Sequence, residues 1–103
     1  DGKSRITGRC GDTMEICLQF EGNTVVRSTH WTNGCTSSFN CVLAAADLAK
    51  GKTPEAILAI DADTIQQSIG GLPTDYRHCA ALAAETLHAA ADEYMRKNVA
   101  GSG

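Results

Sequence analysis

Thr13-Met14-Glu15-Ile16-Cys17-Leu18-Gln19-Phe20 places large apolar side chains at the even positions and smaller or polar ones at the odd positions. Period two is the mark of a strand with one face buried, because successive side chains on an extended chain point to opposite sides. Glu21-Gly22-Asn23 is a turn signal, and Thr24–Thr32 reads as the returning strand of a hairpin. Lys3–Thr7 adds a third strand at an edge. Gly8 and Gly11 bracket Cys10, which puts that cysteine on a bend between strands.

Composition changes after the hairpin. All 15 alanines lie between Ala44 and Ala100, whereas Thr, Val, Ile and Gly dominate the front. Strands first and helices after is the order of an α+β domain. The expected fold is a three-stranded antiparallel sheet followed by, and packed against, about four helices. Asn33-Gly34 ends the hairpin, and Ser37 or Ser38 can cap a helix running to Lys50, with Gly51 as its stop. Thr53-Pro54 pairs a cap with proline at the first helical position and starts a short helix through Ile60. Asp63 with Gln66 three residues on reads as a capping box for a helix that ends at Gly70-Gly71. Pro73-Thr74 then opens a long helix to about Lys97, with Cys79, Ala83, Leu87, Ala90 and Tyr94 as its apolar stripe. Residues 1–98 read as a single domain, and 99–103 as a tail or linker.

A chain of 103 residues has room for one modest core. Only 19 residues are Leu, Ile, Val or Phe, and the deficit is filled by alanine, so the core is built of small side chains. A net charge of −3 with 20% charged residues is too mild for binding nucleic acid and for a solvating tail. The longest apolar runs, Cys41–Ala46 and Cys79–Ala84, are six residues, so no membrane span is expected. No basic, apolar signal segment occurs, and the chain opens on Asp1 rather than Met, which leads to the expectation of missing upstream residues.

Five cysteines are present, an odd number, with no Cys-x-x-Cys pair. That leaves thiols for metal, redox or sulfur chemistry in a reducing compartment and removes the support for ribbon zinc sites and ferredoxin-type runs. Cys10 lies in Gly8-Arg9-Cys10-Gly11-Asp12, Cys35 in Asn33-Gly34-Cys35-Thr36-Ser37-Ser38 before a helix, and Cys79 in Tyr76-Arg77-His78-Cys79 early in another. Glycine bends, helix N-termini and cations favour the thiolate, which is both nucleophile and metal ligand. The separations of 25 and 44 residues are non-local, so only the fold could join the three. These features leave two readings open, a shared three-thiol site or separate packing thiols.

Gly8-x-Cys10-Gly11-Asp12-x-Met14, Gly34-Cys35-x-Ser37, Gly51-Lys52-Thr53, Leu72-Pro73 and His78-Cys79-Ala80-x-Leu82-Ala83 occur in this order. The set resembles the NifU/IscU-like iron–sulfur cluster scaffold family from about Gly2 to Tyr94. The resemblance implies a three-stranded sheet packed on helices, with three cysteines meeting at one exposed end to hold a nascent [2Fe–2S] cluster. On that likeness Cys10, Cys35 and Cys79 match the three ligand cysteines. Asp12 matches the aspartate beside the site, and His78 the histidine before the last cysteine. Three thiolates and one weaker carboxylate or imidazole hold a cluster loosely, as delivery requires. Zn²⁺ accepts the same groups. Asp12 also reads as a turn aspartate, but the full motif favours the site. His78 and Cys79, being adjacent, diverge on a helix, so His78 is either a direct ligand or a substitute or outer partner of the site. Arg9 and Arg77 read equally as thiolate-tuning cations and plain surface charges. Cys17 and Cys41 read as packing thiols, and His30 and His88 as ordinary polar residues.

The resemblance implies a scaffold in the cytoplasm, not an enzyme. It would receive sulfur from a cysteine desulfurase, and iron and electrons from donor proteins, and would pass the cluster to apo iron–sulfur proteins. The alternatives are a zinc-bound sulfur acceptor for a desulfurase and a structural zinc domain. The interval from Cys35 to Cys79 has no room for the insertion of zinc-dependent SufU-type relatives, against the first alternative. The sequence begins after the upstream helix and Asn-Pro segment usual in the family, in keeping with the expectation of missing upstream residues. The family's chaperone-recognition stretch reads Leu-Pro-Pro-Val-Lys. Here the aligned residues are Leu72-Pro73-Thr74-Asp75-Tyr76, which argues against docking of the specialised Hsp70-type chaperone.

Overall fold

The computed structural model describes residues 2–8, 11–34, 36–70 and 77–102, the last five of these in backbone only. Three strands, β1 (Gly2–Thr7), β2 (Thr13–Glu21) and β3 (Thr24–Thr32), form an antiparallel sheet in the order β1-β2-β3. Four helices follow: α1 (Thr36–Ala49), α2 (Pro54–Leu58), α3 (Ala62–Ser68) and α4 (Arg77–Ser102). This is the expected α+β architecture, strands first and helices packed against them.

The alternation in β2 sets the layers. Met14, Ile16, Leu18 and Phe20 are buried against the helices, while Glu15, Cys17 and Gln19 face outward. Gly22 and Asn23 both have positive φ, 61° and 70°, as a two-residue hairpin turn of the I′ kind requires. The pairing slips between Gln19 and Phe20, whose partners are Arg27 and Val25. The extra residue, Val26, is 52% exposed. Alternation alone does not reveal such a bulge, because it concerns only the count of residues on the partner strand.

Helix α4 is the hub, packing on β1, β2 and the other three helices. Its stripe of Cys79, Ala83, Leu87 and Ala90 is buried, and Tyr94 stacks on Phe20 with ring centroids 3.8 Å apart. Small side chains allow this closeness: Gly2 lies against the Ala90 carbonyl with no space for a Cβ, and Ser4 Oγ donates to Thr86 O at 2.5 Å. Burial of Ala45, Ala49, Ala80, Ala83 and Ala91 gives the small-residue core read from composition.

Several boundaries differ from expectation. Helix α1 begins at Thr36, so Ser37 and Ser38 lie inside its first turn rather than capping it. Gly51 adopts φ +79° beyond its end, as a stop residue does. Thr53 caps α2, accepting from Ala56 N, but the helix ends at Leu58 instead of Ile60. Helix α3 is capped by Asp61, which accepts from Thr64 N, and not by an Asp63–Gln66 box. The cap goes to the residue whose backbone stays extended before the first turn, here Asp61 at φ −109° and ψ −178°. Helix α4 continues to Ser102, past Lys97. Its expected opening at Pro73-Thr74 lies outside the described residues.

Candidate functional site

Four chain segments meet at one end of the sheet. The β1–β2 connection is closed by Gly8 N donating to Asp12 O at 2.8 Å and Gly11 N to Gly8 O at 3.1 Å, with Gly11 at φ +89°. Gly8 rests on Leu82 of α4, where a Cβ would come within 3.0 Å of the leucine. The end of β3 is tied to the start of β2. Thr13 N donates to Asn33 Oδ1 at 2.8 Å, and Thr32 Oγ1 to Thr13 O at 2.7 Å. Gly34 N donates in turn to Thr32 Oγ1 at 3.1 Å. These bonds set Gly34 beside Asp12, at the N-terminal end of α1.

From there a line of side-chain contacts runs into the protein. Ser38 Oγ donates to Asp12 Oδ2 at 2.7 Å and lies 3.4 Å from Cys79 Sγ. Cys79 Sγ in turn lies 3.6 Å from His78 Nε2. Ser38 and Cys79 are buried, at 0% and 2% exposure, Asp12 is half-buried and His78 is exposed. The line therefore passes from a carboxylate at the loop, through a buried hydroxyl and thiol, to an imidazole at the surface. His78 and Cys79 diverge as neighbours on a helix must, but the imidazole is long enough to fold back to the thiol.

Of the expected site residues, the structure brings Asp12, His78 and Cys79 into this one line. Cys10 and Cys35 lie outside the described residues, as do Arg9 and the 72–76 stretch. Among the described residues no three acidic, histidine or cysteine side chains form a metal-holding group by themselves, and Asp12 reaches Cys79 through Ser38. The donors present, thiol, carboxylate and imidazole, suit Zn²⁺ or an iron–sulfur cargo. Cys10 and Cys35 flank the described part of the site in sequence, one before Gly11-Asp12 and one after Gly34.

The remaining candidates fall elsewhere. Cys41 is buried in α1, as a packing thiol is. Cys17 departs from that reading: it is half-buried on the outer sheet face, lining a shallow groove with Leu18, Gln19, Arg27 and Thr29. His30 meets the edge of Phe39 with centroids 5.6 Å apart. His88 Nε2 donates to Ile60 O at 2.5 Å, clamping α4 to the α2–α3 connection. Arg77 is exposed at the start of α4.

Sequence reasoning missed Ser38 as a site residue. The signal was available: Ser38 leads the stripe Cys41, Val42, Ala45 and Ala49 on the buried face of α1, and a polar residue on an apolar face calls for a partner.

Comparison with known proteins gives the chain a family. The family model described as "NifU-like N terminal domain" matches residues 4–101. Over 89 residues the chain is 38% identical to the iron-sulfur cluster assembly scaffold protein IscU 1 of Archaeoglobus fulgidus, covering 86% of this chain and 58% of that protein. It is 32% identical over 90 residues to the scaffold protein IscU of Aquifex aeolicus, covering 85% of this chain and 57% of that protein. It is 33% identical over 87 residues to the nitrogen fixation protein NifU of Nostoc, covering 82% of this chain and 29% of that protein. The chain thus spans little more than half, or less, of the length of these relatives.

Proposed function

The chain belongs to the NifU-like N-terminal domain family, and from that membership we propose that it is a scaffold on which an iron–sulfur cluster is assembled and from which it is handed on. The observation that carries this reading is the Asp12–Ser38–Cys79–His78 line of contacts at one end of the molecule, with Gly34 packed against it. The relatives named as iron–sulfur assembly scaffolds support it.

In this reading the cargo is a [2Fe–2S] cluster held by Cys10, Cys35 and Cys79, with Asp12 or His78 as the weaker fourth donor. Residues 1–98 act as one scaffold domain and 99–103 lead out of it. A cysteine desulfurase delivers persulfide sulfur to Cys35 or Cys79, other proteins supply iron and electrons, and apo iron–sulfur proteins in the cytoplasm receive the product. The protein's part is to hold and release rather than to turn over a substrate. Three thiolates give retention, and a carboxylate or imidazole gives a position that an incoming thiolate can take. Zn²⁺ occupies the same donors when no cluster is present.

Anaerobic reconstitution with ferrous iron and sulfide tests the proposal. The expected product shows visible sulfide-to-iron absorption and equal amounts of iron and sulfide. A chain that binds zinc but never develops that absorption would be a zinc protein, either a sulfur acceptor or a structural domain.

A further inference from the structure

We propose that Ser38 is a positioning residue of this site: its hydroxyl spans the Asp12 carboxylate and the Cys79 thiol and fixes the oxygen donor relative to the sulfur donor. The inference rests on the reading of Asp12 and Cys79 as donors to a metal cargo.

Ser38 Oγ is 2.7 Å from Asp12 Oδ2, the length of a charge-assisted O–H···O⁻ bond. The carboxylate can only accept, so the hydroxyl's single proton lies on that side, and in the metal-free chain the Cys79 thiol, 3.4 Å away, is the donor to the hydroxyl oxygen. A side chain at 0% exposure has no bulk water to replace these contacts. Ser38 is also held from behind. A Cβ on Gly34 would stand 2.6 Å from Ser38 Oγ and 2.8 Å from Asp12 Oδ2, so the Gly34 backbone packs against both groups. Asp12 comes from a loop and Cys79 from a helix, and among the described contacts the hydroxyl is the bridge between them. Partners that orient a ligand in this way are worth roughly 10–100-fold in metal affinity.

Zn²⁺ affinity, measured by chelator competition on the wild type, Ser38→Ala, Asp12→Ala and the double variant, decides the matter. Ser38→Ala should bind Zn²⁺ roughly 10–100-fold more weakly. Because the serine acts through the carboxylate, adding Ser38→Ala to Asp12→Ala should cost no more than about two-fold further, a strongly non-additive cycle. With Co²⁺ in place of Zn²⁺, the visible d–d spectrum should shift in Ser38→Ala, and the double variant should match Asp12→Ala. If Ser38→Ala does not fold, Ser38→Gly runs the same cycle, since it removes the same hydroxyl and adds no atom to the crowded space beside Gly34 and Asp12. Wild-type Zn²⁺ affinity in Ser38→Ala, or losses that multiply in the double variant, would overturn the role of Ser38 and leave the scaffold reading standing. A wild-type chain that binds no Zn²⁺ overturns the donor assignment and this inference with it.

Discussion

Asp12 is half-buried, on a loop pinned by the Gly8–Asp12 backbone bond, and its carboxylate is held by Ser38. A carboxylate is a harder, more exchangeable ligand for a sulfide-rich centre than a thiolate, so in the proposed scaffold it is the position through which cargo leaves. Asp12→Ala should hold a matched, anaerobically loaded cluster longer and pass it more slowly to an apo-ferredoxin. This is a rate, distinct from the equilibrium affinity for zinc. Equal transfer and decay rates in wild type and variant would reduce Asp12 to a turn residue. At this scale Cys79 was legible from its basic neighbours and its place early in a helix, and Asp12 and His78 through the family resemblance. Ser38 was not, because a serine near a helix start reads first as a cap, and only the true start at Thr36 turns it inward.

The short helices are fixed by caps rather than by length. Asp61 accepts from both the backbone N–H and the hydroxyl of Thr64, at 2.9 and 2.8 Å, and these bonds, the backbone one first, hold its carboxyl below the ordinary value of 3.8. A carboxyl whose pKa is lowered by folding stabilises the fold above its unfolded pKa, and that contribution is lost as pH falls through the folded value. Asp61→Ala should therefore lower Tm near neutral pH, and the gap to wild type should close as pH drops below about 3.8. A gap unchanged down to pH 2 would mean that the charged cap contributes nothing. Strand β2 was legible because burial on one face leaves a period in the sequence, and β3 because a turn signal precedes it, whereas the α3 cap was misplaced because Asp61 and Asp63 offer the same chemistry two residues apart.

Over the whole molecule, sheet and helices serve one geometric end. The β1–β2 loop, the end of β3 and the starts of α1 and α4 come together because α4 packs along β1 and β2 while α1 packs on β3 and α4. The α+β order was readable from the shift to alanine at Ala44, since small residues suit close helix packing. The convergence itself was not readable from composition or period. It depends on which helix face meets which strand, and it entered the sequence reading only through the family resemblance. No helix among the described residues is long and apolar enough to cross a membrane.

The central claim is that Cys10, Cys35 and Cys79, far apart in sequence, hold one cargo, and that Cys17 and Cys41 do not. Its most direct measurement is the iron and sulfide retained after anaerobic reconstitution and desalting, across the five single Cys→Ser variants. Cys10→Ser, Cys35→Ser and Cys79→Ser should each retain no stable cluster, because three thiolates are the minimum the weak fourth donor can complete. Cys17→Ser and Cys41→Ser should retain it near the wild-type level. Full retention in Cys35→Ser, or loss in Cys17→Ser equal to that in Cys79→Ser, would contradict the assignment.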